Sequence, residues 1–420
     1  MVKAGSLFFV IVISLIIGVL SSSLLLLSYY QRIRTSQNDL TRRLALNTES
    51  GKVLLLNWEK THLGPLDTTV DLYENGRDSV KIQQYNWGLF TVGIIKAYKG
   101  QLVNKKAFLY GPELEHNNLM ALYLSDFDSP LSISGSTSIR GNASLPPAGI
   151  RKGYIEGIKY NQDTLVYGLV SQSSKNLPSI NEEYLKPYFS ILSSSDSENR
   201  NILKPVTSVQ PLKDSISFFD PTRWIRSNEA INLAHMRLEG NICIFSSKKI
   251  VVDSTTRLKD IILISPVILI KEHFSGSIQA FASDSLTTES HCVFPYPSSL
   301  VLLKPLADDK QPFLRVGANN RLTGVILSKC KKSDINLTQI IIEASCHIQG
   351  IVYCNGYLQL VGTVSGEVLT DHFTYKTSAS LYDNYLVDAH ISRVELNSHF
   401  VTSGIFAQNE TKNRIAKCLY

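Results

Sequence analysis

The residue types that carry out chemistry are present in this chain but scattered. Nine histidines occur, and no two lie three or four residues apart, the spacing that would place a ligand pair on one helix face. The chain has no H-E-x-x-H, no G-x-x-x-x-G-K-[ST] and no G-x-S-x-G, so zinc-protease, nucleotide-phosphate and nucleophile-elbow chemistries lack their local signatures. Asp371-His372 is a neighbouring carboxyl and imidazole beside a glycine corner. Adjacent strand residues point to opposite faces, so the two are expected not to act together. Asp253, Asp260, Glu289, Glu343 and Glu367 stand apart in β-rich stretches and read as solvated outer-face carboxylates, not an acid–base pair. The six cysteines, at 243, 292, 330, 346, 354 and 418, contain no C-x-x-C, which argues against a zinc ribbon or a thioredoxin motif. Cys346 and Cys354 are close enough to pair across a turn, with a buried apolar role as the simpler reading. No catalytic residue, cofactor or metal is expected.

What would position any site is a β-rich body behind an apolar segment. No charged side chain occurs between Lys3 and Arg32, and residues 6–28 are apolar over the ~20 residues a helix needs to cross a bilayer. A secretory signal has a shorter apolar core, about 7 to 15 residues. Residues 29–57 keep helix formers around Leu40, Leu44, Ala45, Val53, Leu54 and Leu56, which predicts an amphipathic continuation of the same helix. The charge of +6 at pH 7 comes from Lys and Arg that never form a run, which suits solubility and not nucleic-acid binding.

Short apolar runs at 69–73, 88–98 and 106–110, separated by turn residues such as Glu74-Asn75-Gly76, predict a small antiparallel sheet. From 129 to 400 a loose repeat takes over, with glycines at Gly141, Gly240, Gly276, Gly324, Gly350 and Gly366 ahead of small or β-branched residues. Such corners between short strands predict a parallel β-helix, right- or left-handed, with a polar insertion near 172–237. An ordinary sandwich of short strands is the competing reading. Residues 387–396 are expected to cap one end of the solenoid or to lead away from it. The tail, 401–420, looks irregular. The fold class is thus mainly β: a membrane helix over 1–28, an amphipathic helix with a small sheet over 29–128, then the solenoid.

Met1-Val-Lys-Ala-Gly5 followed at once by the apolar run resembles the start of type IV pilins and type II secretion pseudopilins. The resemblance reaches to about Leu56 and implies cleavage by a prepilin peptidase between Gly5 and Ser6. Val10 stands where that family usually carries Glu. It implies a single-pass protein of a bacterial inner membrane, most of the chain outside the cytoplasm, within an envelope or secretion assembly. Arg32, Arg34, Arg42 and Arg43 against Lys3 give the opposite orientation by the positive-inside rule.

Residues 348–368 resemble coils of bactofilins, a family of polymer-forming β-helices, and 139–157 resemble the junction in envelope proteins that join a pilin-like start to such a domain. Together these imply a non-enzymatic membrane-anchored structural or adaptor protein, whose partners are the lipid bilayer and envelope proteins. A scaffold that self-associates through open β-helix ends is one alternative. A carbohydrate-acting β-helix enzyme with a carboxylate pair on one face is another.

Overall fold

The structure, a computed structural model, describes residues 4–57, 66–72, 79–114, 119–193, 213–305, 310–331, 337–406 and 412–419. The described residues fall into two units, one within Met1–Trp58, Leu66–Gln83 and Ile94–Lys106, the other within Glu59–Pro65, Gln84–Gly93 and Ala107–Tyr420.

In the first unit, α1 runs unbroken from Ala4 to Leu56, 53 residues or about 80 Å. No Gly or Pro falls between Gly18 and Gly51 to interrupt its hydrogen bonds, so the apolar and amphipathic parts form one helix. Every residue from Leu7 to Asp39 is exposed; burial begins at Leu44 and continues at Asn47, Thr48, Gly51 and Leu55. That face differs from the expected apolar stripe, for Val53 is exposed while the polar Asn47 and Thr48 and the small Gly51 are buried. Thr48 returns its hydroxyl to the Leu44 carbonyl at 2.8 Å, which meets its polarity locally. At Gly51 a Cβ would stand 2.9 Å from both Ile95 and Val80, so the helix packs by close approach and not by an apolar ridge.

Strands β1 (Leu66–Val70), β2 (Ser79–Trp87), β3 (Phe90–Lys99) and β4 (Leu102–Pro112) form the small antiparallel sheet in that order. The expected turn at 74–76 lies outside the described residues. The tail corrects its sequence reading: Asn413–Cys418 is a strand that pairs antiparallel with β4, Arg414 opposite Gly111 and Cys418 opposite Phe108. A lone six-residue strand with a mixed pattern carries no local signal; the free edge of β4 supplies one.

The second unit is dominated by a parallel β-helix. One ladder stacks Arg237–Ser246, Arg257–Ile264, Ser277–Ala282, Val293–Lys304, Arg321–Cys330, His347–Leu360 and Thr363–Lys376 in that order. A second ladder stacks Ile231–Leu233, Lys249–Val252, Val267–Ile270, Ser285–Thr288, Phe313–Val316 and Thr338–Ile342. Rungs repeat at about 4.8 Å, so like side chains lie over like. Lys213–Ile216 and Arg223–Ser227 also stack in parallel on Arg237–Ser246, so solenoid strands lie within the stretch read as a polar insertion near 172–237.

Sequence order and stacking order part company at the other end. Strands β5 (Met120–Leu124), β6 (Leu131–Ser134), β7 (Ser138–Arg140), β8 (Asn142–Leu145) and β9 (Ile150–Lys152) precede these ladders in sequence but lie beyond Thr363–Lys376 in the stack. The rung next to Thr363–Lys376 is composite: β5 pairs with it through Leu122, and His390–Ser392 through Ile391. Those two segments pair in turn with β8 and β7. The inward column Phe294, Leu322, Ile348, Val364, Ile391, Ile139 runs through the composite rung with 0–1% exposure at each step. Burying each such side chain contributes about 1.5–3 kcal/mol. The expectations that the solenoid starts near 129 and that 387–396 crosses or leaves an end are corrected. It includes β5, and His390–Ser392 is an interior strand.

Candidate functional site

Three of the six expected corner glycines form a backbone column. Gly324, Gly350 and Gly366 lie in register on successive rungs, with Ser298 beneath Gly324. They sit inside long strands at the bend, with φ of +147°, +142° and +154°. Gly141 and Gly240 share the positive φ, whereas Gly276 does not, and its constraint is space: a Cβ there would stand 2.4 Å from the Leu258 carbonyl oxygen. These are positions of architecture. Gly5 and Ser6 both lie within α1, and Gly5 has open space around it.

The carboxylates read as solvated divide into two groups. Asp253 and Glu343 are surface groups paired with Lys271 and Arg315, and Glu289 accepts the Glu272 backbone N–H. Asp260 is instead buried and Glu367 half-buried, each against a base on another segment. Asp260 meets Lys417 at 2.7 Å, and Glu367 meets Arg393 at 3.1 Å with side-chain exposures of 15% and 7%. Burial lifts the Glu367 carboxyl above its ordinary range and Arg393 opposes this.

All six cysteines are free, five of them buried. Burial pushes the Cys346 thiol up to about 11 and Cys354 up to about 12, so both stay protonated and unreactive at neutral pH. Among the described residues no three His, Cys, Asp or Glu side chains converge as a metal site.

Ionisable and aromatic groups gather at a cavity of about 850 Å³ on the flank of the β-helix. Both Asp371 and His372 line it, contrary to the expectation from strand alternation. The register of Thr363–Lys376 against its neighbour slips between the Cys354 and Tyr357 pairings, and this irregularity frees the two side chains from strict alternation. Asp371 is 7% exposed and accepts from Ser125 Oγ at 2.9 Å and from Asn355 Nδ2 at 2.8 Å, one bond to each oxygen. Burial raises its carboxyl above the usual range, with those two bonds pulling the other way. The His372 ring stacks on Phe127 at 4.1 Å and on Tyr357 at 5.2 Å, both at 27°. Burial holds its imidazole below the ordinary histidine value, and its Nδ1 is 4.0 Å from Asp383. Lys175, Lys329 and Lys331 surround the mouth.

Comparison with protein-family models, curated proteins and solved structures finds no match to this chain.

Asp371 carries a pH prediction. A carboxyl whose folded pKa is raised has its ionised form penalised by folding, so its contribution falls as pH rises from about 3.9 through the folded value. Asp371→Asn removes that penalty. Its oxygen can accept from Asn355 while its amide donates to the Ser125 hydroxyl. The variant is expected to be more stable than wild type at pH 7, with the advantage vanishing near pH 4. Urea unfolding at both values checks this. A less stable variant at pH 7 would mean that the two hydrogen bonds to the carboxylate outweigh its desolvation.

Proposed function

We propose that the chain is a non-enzymatic, single-pass, membrane-anchored structural or adaptor protein of a bacterial cell envelope, with its β-helix outside the inner membrane. The observation that carries this is α1. Its most apolar 18-residue window has a mean hydropathy of 2.8 and no buried residue, so nothing within the described protein covers it. An apolar helix exposed on all sides belongs in lipid or in an assembly of like helices.

The adaptor reading is favoured over a polymerising scaffold by the way the stack ends. A long open last coil would template another chain, but beyond the composite rung the stack thins to the three- and four-residue strands β7, β8 and Val170–Gln172. The enzymatic alternative finds little support in the cavity, where both Asp371 oxygens are engaged by neutral donors and the other described carboxylate of the lining, Glu182, is paired with Lys329.

Topology is the test. In intact spheroplasts expressing a C-terminally tagged chain, added protease is expected to remove the tag, and N-terminal sequencing is expected to begin at Ser6. A tag protected until lysis would place the body in the cytoplasm, as Arg32, Arg34, Arg42 and Arg43 demand by the positive-inside rule.

A further inference from the structure

We propose that the flank cavity beside Asp371 is a binding site for an extended anionic saccharide, one bearing carboxylates on a chain of sugar rings. Such a site belongs to the β-helix alone and is independent of membrane orientation.

Three features define the ligand. The first is shape. The cavity wall is built from four successive rungs, contributing Lys329 from Arg321–Cys330, Tyr353 and Asn355 from His347–Leu360, Asp371 from Thr363–Lys376, and Phe127 from just after β5. Three rung spacings make about 14 Å along the solenoid axis. A site of that length suits an oligomer better than a compact metabolite.

Charge is the second. Lys329 is compensated by Glu182 at 3.1 Å. Lys175 and Lys331 are exposed and make no ion pair with a described carboxylate. The segment bearing Lys175 is held in place, since the Tyr123 hydroxyl donates to the Asn176 carbonyl at 2.9 Å and accepts the Ser174 N–H at 3.0 Å. Two ammonium groups at the mouth, neither in an ion pair with a described carboxylate, select an anion.

The third is the kind of surface offered. Phe127, His372 and Tyr357 already stack on one another, so no slot between rings is left for a planar base. Phe127 is 45% exposed. One aromatic face at the mouth, with amide and carboxylate acceptors nearby at Asn355 and Glu182, fits the C–H face and the hydroxyls of a sugar. A free phosphate would use the lysines and leave the ring and acceptors idle.

The test uses the full chain in detergent. It is titrated calorimetrically with tri- and tetrasaccharides of galacturonate, glucuronate or mannuronate, with their carboxyl-reduced neutral counterparts, and with inorganic phosphate and a mononucleotide. At least one uronate series is expected to bind saturably, at least tenfold tighter than its neutral counterpart, and to weaken as salt rises. Phe127→Ala and the double variant Lys175→Ala/Lys331→Ala are each expected to weaken it at least tenfold. All three replaced side chains are exposed, so the fold should survive, and circular dichroism verifies that. Absence of saturable uronate binding, equal binding of the neutral sugars, tighter binding of phosphate or nucleotide, or full affinity in the Phe127 variant would each overturn the proposal.

Discussion

Gly350→Ala is expected to destabilise the protein by about 3–5 kcal/mol, a large effect for a single added methyl. Two costs add. Gly350 has φ of +142°, a region L side chains rarely adopt, and holding a non-glycine residue there costs of order 1–3 kcal/mol. The new Cβ would also stand 1.9 Å from the Gly324 carbonyl oxygen and 3.0 Å from Phe400 Cζ. Relief would require the rung to lift, but ladder hydrogen bonds fix rung spacing at about 4.8 Å, and the Gly366 strand lies directly on the other side. Gly149→Ala separates the two costs, because Gly149 has φ of +75° and a Cβ there would meet nothing within 4 Å. Denaturant unfolding of both variants should show Gly149→Ala losing about 1–2 kcal/mol and Gly350→Ala clearly more. Equal losses would show that the ladder opens cheaply and that the column constrains angle alone.

What the sequence discloses follows from the range of each signal. The long apolar helix is legible because about 20 contiguous apolar residues state it locally. The β-helix is legible where its repeat is tight, from Leu322 to Val368, since Gly324, Gly350 and Gly366 fall in register there. Stacking order is not legible. That β5 and His390–Ser392 share a rung depends on pairing between opposite ends of the chain, and three-residue strands carry too few side chains to announce a partner. The cavity is half legible. Asp371 and His372 stand out as a pair, but Ser125, Asn355, Phe127 and Lys175 come from other coils or from outside the solenoid, and the register slip that brings the pair together leaves no local mark. Asp260 shows the same limit, because a buried acid and a solvated one look alike until the base across from it is known.

Lys417→Met is expected to cost about 3 kcal/mol or more, far beyond what a surface ion pair supplies. Asp260 sits at an irregularity in Arg257–Ile264, with φ of +58° and a side chain 3% exposed. Lys417 Nζ reaches both of its oxygens at 2.7 Å, and Ser277 Oγ donates to one of them at 3.1 Å. Methionine would leave a buried carboxylate with one neutral donor, the situation in which losing a partner is most expensive. Asp260→Asn combined with Lys417→Met removes the orphaned charge as well, so the double variant should recover most of the loss, and the cycle of singles and double isolates the coupling. The pair fastens Asn413–Cys418 to the solenoid, so the lysine variant should also expose the C-terminal strand to carboxypeptidase before global unfolding. A loss below about 1 kcal/mol with no gain from the second substitution would mean that water solvates Asp260 once the strand loosens, leaving the strand's attachment to its backbone bonds with β4.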